Sequence, residues 1–294
     1  VEPERIAVGD GASQLLASAA QALMEPGDEL VTPWPSYPLY PIMARRARGA
    51  FVPVHGFSVD GLLAAVTERT RLVVVCNPND PTGELLPLGG LRRLLEELPE
   101  RVVVLLDEAL RDFVDAEDRD AALALLEDHP RLIAFRSFSK AWGLAGLRCG
   151  YALGGPGAEP LIDELGPPLG INELAQAGVL EAVRHGGRAI ERRTRRVAAE
   201  RVRLLEALRV RPVEVVPSQA NLLWIAAPAM AGADLAARLG RQRVQGRAGG
   251  PLRAARPGRV AIQDQLHTDP LPPAPQHAPA GPGAPDALLS AAAS

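Results

Sequence analysis

The chain is predicted to be an α/β protein built on a mostly parallel central sheet sandwiched by helices, with a smaller α+β unit behind it. Two observations carry this. Short Val-, Leu- and Ile-rich runs alternate with helical patterns up to about residue 170, and three of those runs end abruptly in polar residues. Beyond Asn172 the pattern changes to long helices followed by two short strand candidates.

"SQLLASAAQALM" (13–24) has helical spacing and is closed by the turn "EPGDE". "RLVVVCNP" (71–78), "RVVVLLDE" (101–108) and "RLIAFRS" (131–137) are continuous apolar runs, the pattern of strands covered on both faces. Between the first two, "LPLGGLRRLLEELPE" repeats its leucines at helical spacing. "ELAQAGVLEAVRHGG" and "AIERRTRRVAAERVRLLEALRV" read as long helices. The arginines of the second are interleaved with Glu191, Glu200 and Glu206, as on a solvated face. Strands are expected at 213–216 and 221–226, a helix at 232–240, and a further strand in "GRVAIQD". The expected division is a large unit over 1–186, a small one over 187–268, and a disordered Pro/Ala-rich tail over 269–294.

Composition narrows the function. A net charge of -3 argues against a nucleic-acid binder. Cys76 and Cys149 form no CxxC pair, which fits a reducing, cytoplasmic setting. No apolar run approaches the roughly 20 residues of a membrane-spanning helix, and no signal peptide is evident. The five histidines lack metal-ligand spacing, so no metal site is expected.

Of 32 basic residues, only Lys140 is a lysine. Arginine stays protonated, whereas a lysine amine can lose its proton and attack an aldehyde. Read alone, Lys140 is as easily an ordinary surface charge. Its surroundings in "RSFSKAWGLAGLRCGY" (136–151) decide. Ser137 and Ser139 precede it and Arg148 follows at plus eight, a set suited to a phosphate. "GDGASQLL" places Gly9 and Gly11 before a helix whose first amides, at Ala12 and Ser13, suit the same group, although read alone a plain turn and cap fits this stretch better. Asp107 ends an apolar strand, where an isolated carboxylate needs a positive partner or else serves as a cap. A phosphate, an aldehyde and a ring nitrogen beside an acid describe one ligand, pyridoxal 5'-phosphate (PLP). A dinucleotide site would need a third glycine that "GDGASQ" lacks.

In order, "GDGAS", "PSYPLY", "NPNDPTG", "DEA" and "SFSKAWGLAGLRCGY" resemble the fold-type I PLP-dependent aminotransferases, most closely the histidinol-phosphate aminotransferase branch, over roughly residues 1–268. The resemblance implies a cytoplasmic homodimer that exchanges an amino group between a donor such as glutamate, or a histidinol phosphate-like amine, and a 2-oxo acid. It implies that Lys140 joins the cofactor's aldehyde and Asp107 pairs with the ring nitrogen. Tyr37 would stack on the ring; Ala12, Ser13, Ser137, Ser139 and Arg148 would hold phosphate. Arg259 would clamp the substrate carboxylate, and Arg247 would help bind a substrate phosphate. It further implies a segment ahead of Val1 and a helix after "RVAIQD" that the Pro/Ala-rich run replaces.

Two positions depart from the family pattern. Asp80 stands where the family has an asparagine serving the cofactor's phenolic oxygen, and Leu110 where it has a tyrosine. A proton shared between Asp80 and that oxygen is expected, with Asn79 the nearest amide to substitute. A decarboxylase of a phosphorylated amino acid and a catalytically silent relative are the alternatives.

Overall fold

The computed structural model describes residues 1–228 and 230–241, together with the strands at 246–248 and 259–263. The elements run β1 (Ile6–Gly9), α1 (Ala12–Leu23), β2 (Glu29–Trp34), α2 (Leu39–Arg46), β3 (Ala50–His55), α3 (Val59–Ala64), β4 (Thr70–Cys76) and α4 (Leu88–Glu97). They continue with β5 (Val103–Asp107), β6 (Leu132–Ser137), β7 (Gly150–Gly154), α5 (Glu159–Leu165), α6 (Glu173–His185) and α7 (Gly187–Leu208). Last come β8 (Glu214–Val216), β9 (Leu222–Ala226), α8 (Gly232–Arg241), β10 (Gly246–Ala248) and β11 (Arg259–Gln263). The three continuous apolar runs are β4, β5 and β6. Strands β1, β2 and β3 had no clear signal in the sequence, being short or interrupted by proline.

Seven strands form one sheet in the order β1-β7-β6-β5-β4-β2-β3. Neighbours from β6 through β3 are parallel, while β7 is antiparallel to both β6 and β1. The fold is therefore the expected one, an α/β sandwich around a mostly parallel sheet.

Strand alternation sorts the core into two layers. Leu72, Val74, Cys76, Leu105, Ile133 and Phe135 pack with residues of α1, α2 and α5. Val73, Val75, Val104 and Leu106 pack on the other face, against α3 and α4. The leucines of α4 that meet this layer, Leu91, Leu94 and Leu95, and Leu98 just after it recur at helical spacing. The parity has a functional consequence. Asp107 lies two residues after Leu105, so its side chain belongs to the face covered by α2.

A second sheet, β10-β11-β9-β8, is antiparallel throughout. Leu110, Phe113 and Ala141 from loops of the large sheet pack with Val197 of α7 and with Ala220 and Leu222 at β9. Leu110 is thus part of the core that joins the two sheets. The arginines of α7 mostly sit on a solvated face, where Arg195 pairs with Glu191 at 2.5 Å and Arg203 with Glu200. Arg201 is the exception, only 5% exposed. Its guanidinium donates to the carbonyls of Phe113 (3.1 Å) and Ala220 (3.0 Å) and pairs with Asp115 at 2.8 Å.

Arg201→Met keeps much of the aliphatic volume but leaves two buried carbonyls without that donor. The expected loss is about 2–4 kcal/mol of stability, measured as a lower denaturation midpoint. A loss below about 0.5 kcal/mol would show that this arginine does not tie the sheets together.

Candidate active site

The parallel strands end together. Cys76 is in register with Asp107, and Asp107 with Phe135, so the carboxylate emerges between the carboxyl ends of β4 and β6. Ligand sites of such sheets form there. Because β7 reverses between them, β1 and β6 run in the same direction, and Gly9 and Ser137 flank Gly150 in one row. The glycine turn and the "SFSK" turn are therefore brought to one edge.

Gly150 has a steric reason to be glycine: a Cβ there would lie 2.3 Å from the backbone nitrogen of Ala12. This close approach seats the start of α1 against the sheet. Gly11 caps α1 at φ 84, and no side chain caps that end. The first amides of the helix are thus left to an anion. Arg148, held at the left-handed φ of 54, reaches over this end. It donates to Asp10 O (3.3 Å), Ala145 O (3.1 Å) and Ser139 Oγ (3.4 Å), and a Cβ on Gly11 would come within 2.5 Å of its Nη2. The Ser139 amide donates to Ser137 Oγ at 3.0 Å. Ala12, Ser13, Ser137, Ser139 and Arg148 form one cradle, with a cation and free donors of the kind a phosphate requires.

Asp107 is 3% exposed. Its Oδ1 accepts from the Ala109 amide at 3.0 Å and its Oδ2 from the Tyr40 hydroxyl at 2.9 Å. Burial raises its pKa above the usual 3.8, while the two hydrogen bonds and the charge of Lys140 pull it back. Lys140 is half-buried in the turn after β6, and its carbonyl accepts from the Gly143 amide at 3.0 Å. Tyr37 is half-buried, edge-on to Tyr40 with ring centroids 5.9 Å apart. Its pKa is raised by burial first, then by the charges of Asp107 and Asp80, while Arg148 opposes this. Tyr37 is therefore within electrostatic reach of both Asp107 and Arg148. A carboxylate, an amine, a flat aromatic and an anion cradle fit the ring, aldehyde and phosphate of PLP.

Asp80 belongs to the same cluster: its amide meets Cys76 Sγ at 3.4 Å, and its charge acts on Asp107, Tyr37 and Cys76. Asn79 does not substitute for the family's asparagine. Its amide nitrogen donates to Pro35 O (2.9 Å) and Thr82 Oγ1 (2.8 Å), and its oxygen accepts from Ser36 Oγ (2.7 Å). Arg247 and Arg259 fall on β10 and β11, opposite Ala261 and Ala226. Their side chains lie outside the described residues, as does the run 269–294.

Tyr40 and Gly150 were not among the candidates read from the sequence. The one available signal for Tyr40 was an OH on a helix position whose spacing with Met43 and Ala44 points inward, since a buried tyrosine hydroxyl needs a partner. On the opposite parity, Glu108 pairs with Arg136 at 2.8 Å and lies 3.6 Å from Arg111, which also pairs with Glu117 at 2.8 Å. These pairs anchor the backbone that follows Asp107.

Because the pKa of Asp107 is raised on folding, the folded chain holds that proton to higher pH than the unfolded one. Stability of the PLP-free protein therefore falls as pH rises through the window above 3.8. Asp107→Asn is expected to raise the melting temperature of the PLP-free protein at neutral pH, with the difference vanishing below that window. Melting curves across pH check this, and a variant less stable at every pH would refute it.

The family model "Aminotransferase class I and II" matches residues 1–266. An aromatic amino acid aminotransferase of Corynebacterium efficiens is 37% identical over 276 residues, covering 92% of this chain and 77% of that protein. One from Mycobacteroides abscessus is 40% identical over 229 residues, 76% of this chain. Only 65% of that relative's length is matched. Among solved structures, the histidinol-phosphate aminotransferase of Sinorhizobium meliloti, determined with pyridoxal-5'-phosphate, superposes with a TM-score of 0.78 at 28% identity. The match covers 88% of this chain and 72% of that one. The chain belongs to the class I and II aminotransferases, a PLP-dependent family of transaminases.

Proposed function

We propose that this protein is a working aminotransferase that moves an amino group from an aromatic amino acid to a 2-oxo acid such as 2-oxoglutarate. The observation that carries the reading is the placement of the single lysine. Lys140 directly follows Ser139, which Arg148 reaches at 3.4 Å, and its charge acts on the buried Asp107. The aromatic donor is taken from the names of the two curated relatives.

When bound, PLP supplies an electron sink for the pair left at the substrate's α-carbon as its proton departs. The residues divide the remaining work. Ser137, Ser139, Arg148 and the amides of Ala12 and Ser13 hold the phosphate. Asp107 keeps a proton on the ring nitrogen, and Tyr37 offers its flat face to the ring. Lys140 would anchor the cofactor through its aldehyde, and its Nζ would be the group that carries the α-proton. Asp80 would serve the side of the phenolic oxygen, Arg259 would bind the substrate carboxylate, and Arg247 would be a second substrate arginine.

A histidinol phosphate-like amine is the second reading, favoured by the superposition on the Sinorhizobium meliloti enzyme and by the Arg247 match. A cytoplasmic homodimer with a large unit over 1–186 and a small one over 187–268 completes the proposal. Among the described residues, no helix is long and apolar enough to cross a membrane. The exposed Leu169 and Leu174 suit burial by a second copy.

The test is single-turnover conversion of PLP-loaded protein with phenylalanine, tyrosine, tryptophan, glutamate, histidinol phosphate and O-phosphothreonine. An aromatic donor is expected to give oxo acid and the pyridoxamine form of the cofactor. Lys140→Ala should slow this step on the order of 10²–10⁴-fold or more. Carbon dioxide from O-phosphothreonine would identify a decarboxylase. A Lys140-dependent visible band unchanged by every donor would identify a silent relative.

A further inference from the structure

Asp107 has two oxygens, and each accepts one hydrogen bond from the protein: Ala109 N–H on Oδ1 and Tyr40 O–H on Oδ2. The terminal torsion of an aspartate is otherwise broad. A donor on each oxygen fixes the carboxylate plane while leaving lone pairs for a ligand. Ala109 is two residues away and follows the chain, but Tyr40 comes from α2, 67 residues distant. Its ring is fully buried in the layer that also holds Met43, Ala44 and Cys76. For packing alone, phenylalanine would serve at this position. The hydroxyl is the part that needs an explanation.

We infer that Tyr40 is a positioning residue, whose hydroxyl holds the Asp107 carboxylate in the plane that receives the cofactor's ring nitrogen. The inference rests on the proposed pairing of Asp107 with that nitrogen. The groups facing Asp107 are Tyr40 from α2, Cys76 at the end of β4, Asp80 and Tyr37 from the flanking loops, and Lys140 after β6. Of these, Asp80 disfavours the ionised form, and Lys140 and the Tyr40 hydroxyl favour it. Lys140 leaves this role when it turns to the substrate, so Tyr40 is the constant donor. Burial holds the phenol's own pKa well above its usual 10.0, and so the group donates over the whole working range.

The variant is Tyr40→Phe, which removes one oxygen. Two measurements separate a positioning role from packing. The first is the titration of the Asp107 carboxyl carbon by NMR in the PLP-free protein, which is expected to move to higher pH. The second is PLP affinity, expected to weaken about tenfold in the wild-type background but less than about twofold beside Asp107→Asn. An unchanged Asp107 titration, or equal weakening in both backgrounds, would overturn the inference. If Tyr40→Phe does not fold, 3-fluorotyrosine placed at position 40 alone keeps the shape and makes a stronger donor. It should move the Asp107 titration to lower pH, and no movement would overturn the inference. Wild-type protein that forms no Lys140-dependent visible band would instead overturn the cofactor reading, and the titration would still decide Tyr40's hold on Asp107.

Discussion

A carboxylate at the end of a buried parallel strand is the constraint around which the site is built. The runs that form β4, β5 and β6 must be apolar on both faces for the sheet to be covered by helices. Whatever polar group ends such a run inherits a desolvated setting, where an unpaired charge is expensive. Asp107 meets this with three compensations drawn from three parts of the chain: the Ala109 amide, the Tyr40 hydroxyl and the charge of Lys140. The next residue has the same problem on the opposite face. Glu108, also fully buried, is met by Arg136 and Arg111. Two consecutive acids thus divide by parity, one toward the site and one into a structural ion network.

The anion cradle depends on a different element of the same sheet. Had β7 run parallel to its neighbours, its far end, and not Gly150, would lie beside the carboxyl ends of β1 and β6. The antiparallel strand puts Gly9, Gly150 and Ser137 side by side. Gly150 then lets α1 approach within the space a methyl group would occupy. Chain direction, a missing Cβ and a helix end together leave the donors of α1 beneath Arg148.

The sequence was legible where one residue type carries one meaning. Continuous Val/Leu/Ile runs marked β4, β5 and β6, and leucine spacing marked α4. Lys140 and Asp107 stood out because their chemistry is unusual at those places. What could not be read were contacts set by tertiary parity. Tyr40 and Asp107 are 67 residues apart, and nothing local to "PSYPLY" says which strand α2 will cover. Leu110 was legible only as the loss of a tyrosine; the structure gives it a positive role in the core joining the sheets. Asn79 was the candidate replacement amide, yet its three side-chain hydrogen bonds tie it to Thr82 and to Pro35 and Ser36 of the loop after β2.

With Asn79 committed and Leu110 buried, the side of the site that faces Asp80 has lost both of the family's usual donors. A site decaying for want of use would be expected to shed what destabilises the fold. Replacing a buried charged group by a neutral one of similar shape is commonly neutral or stabilising. This chain instead retains the buried Asp107, adds the charge of Asp80 to the burden on it, and supplies Tyr40 and Lys140 to relieve it. Arg148 likewise keeps a left-handed backbone that a non-glycine residue adopts only at some expense. Destabilising features held in place by neighbouring donors are gathered here at one strand edge, the kind of place where functional sites concentrate. Of the two substitutions, one places the charge of Asp80 beside Asp107 and the other gives Leu110 to the core that joins the sheets.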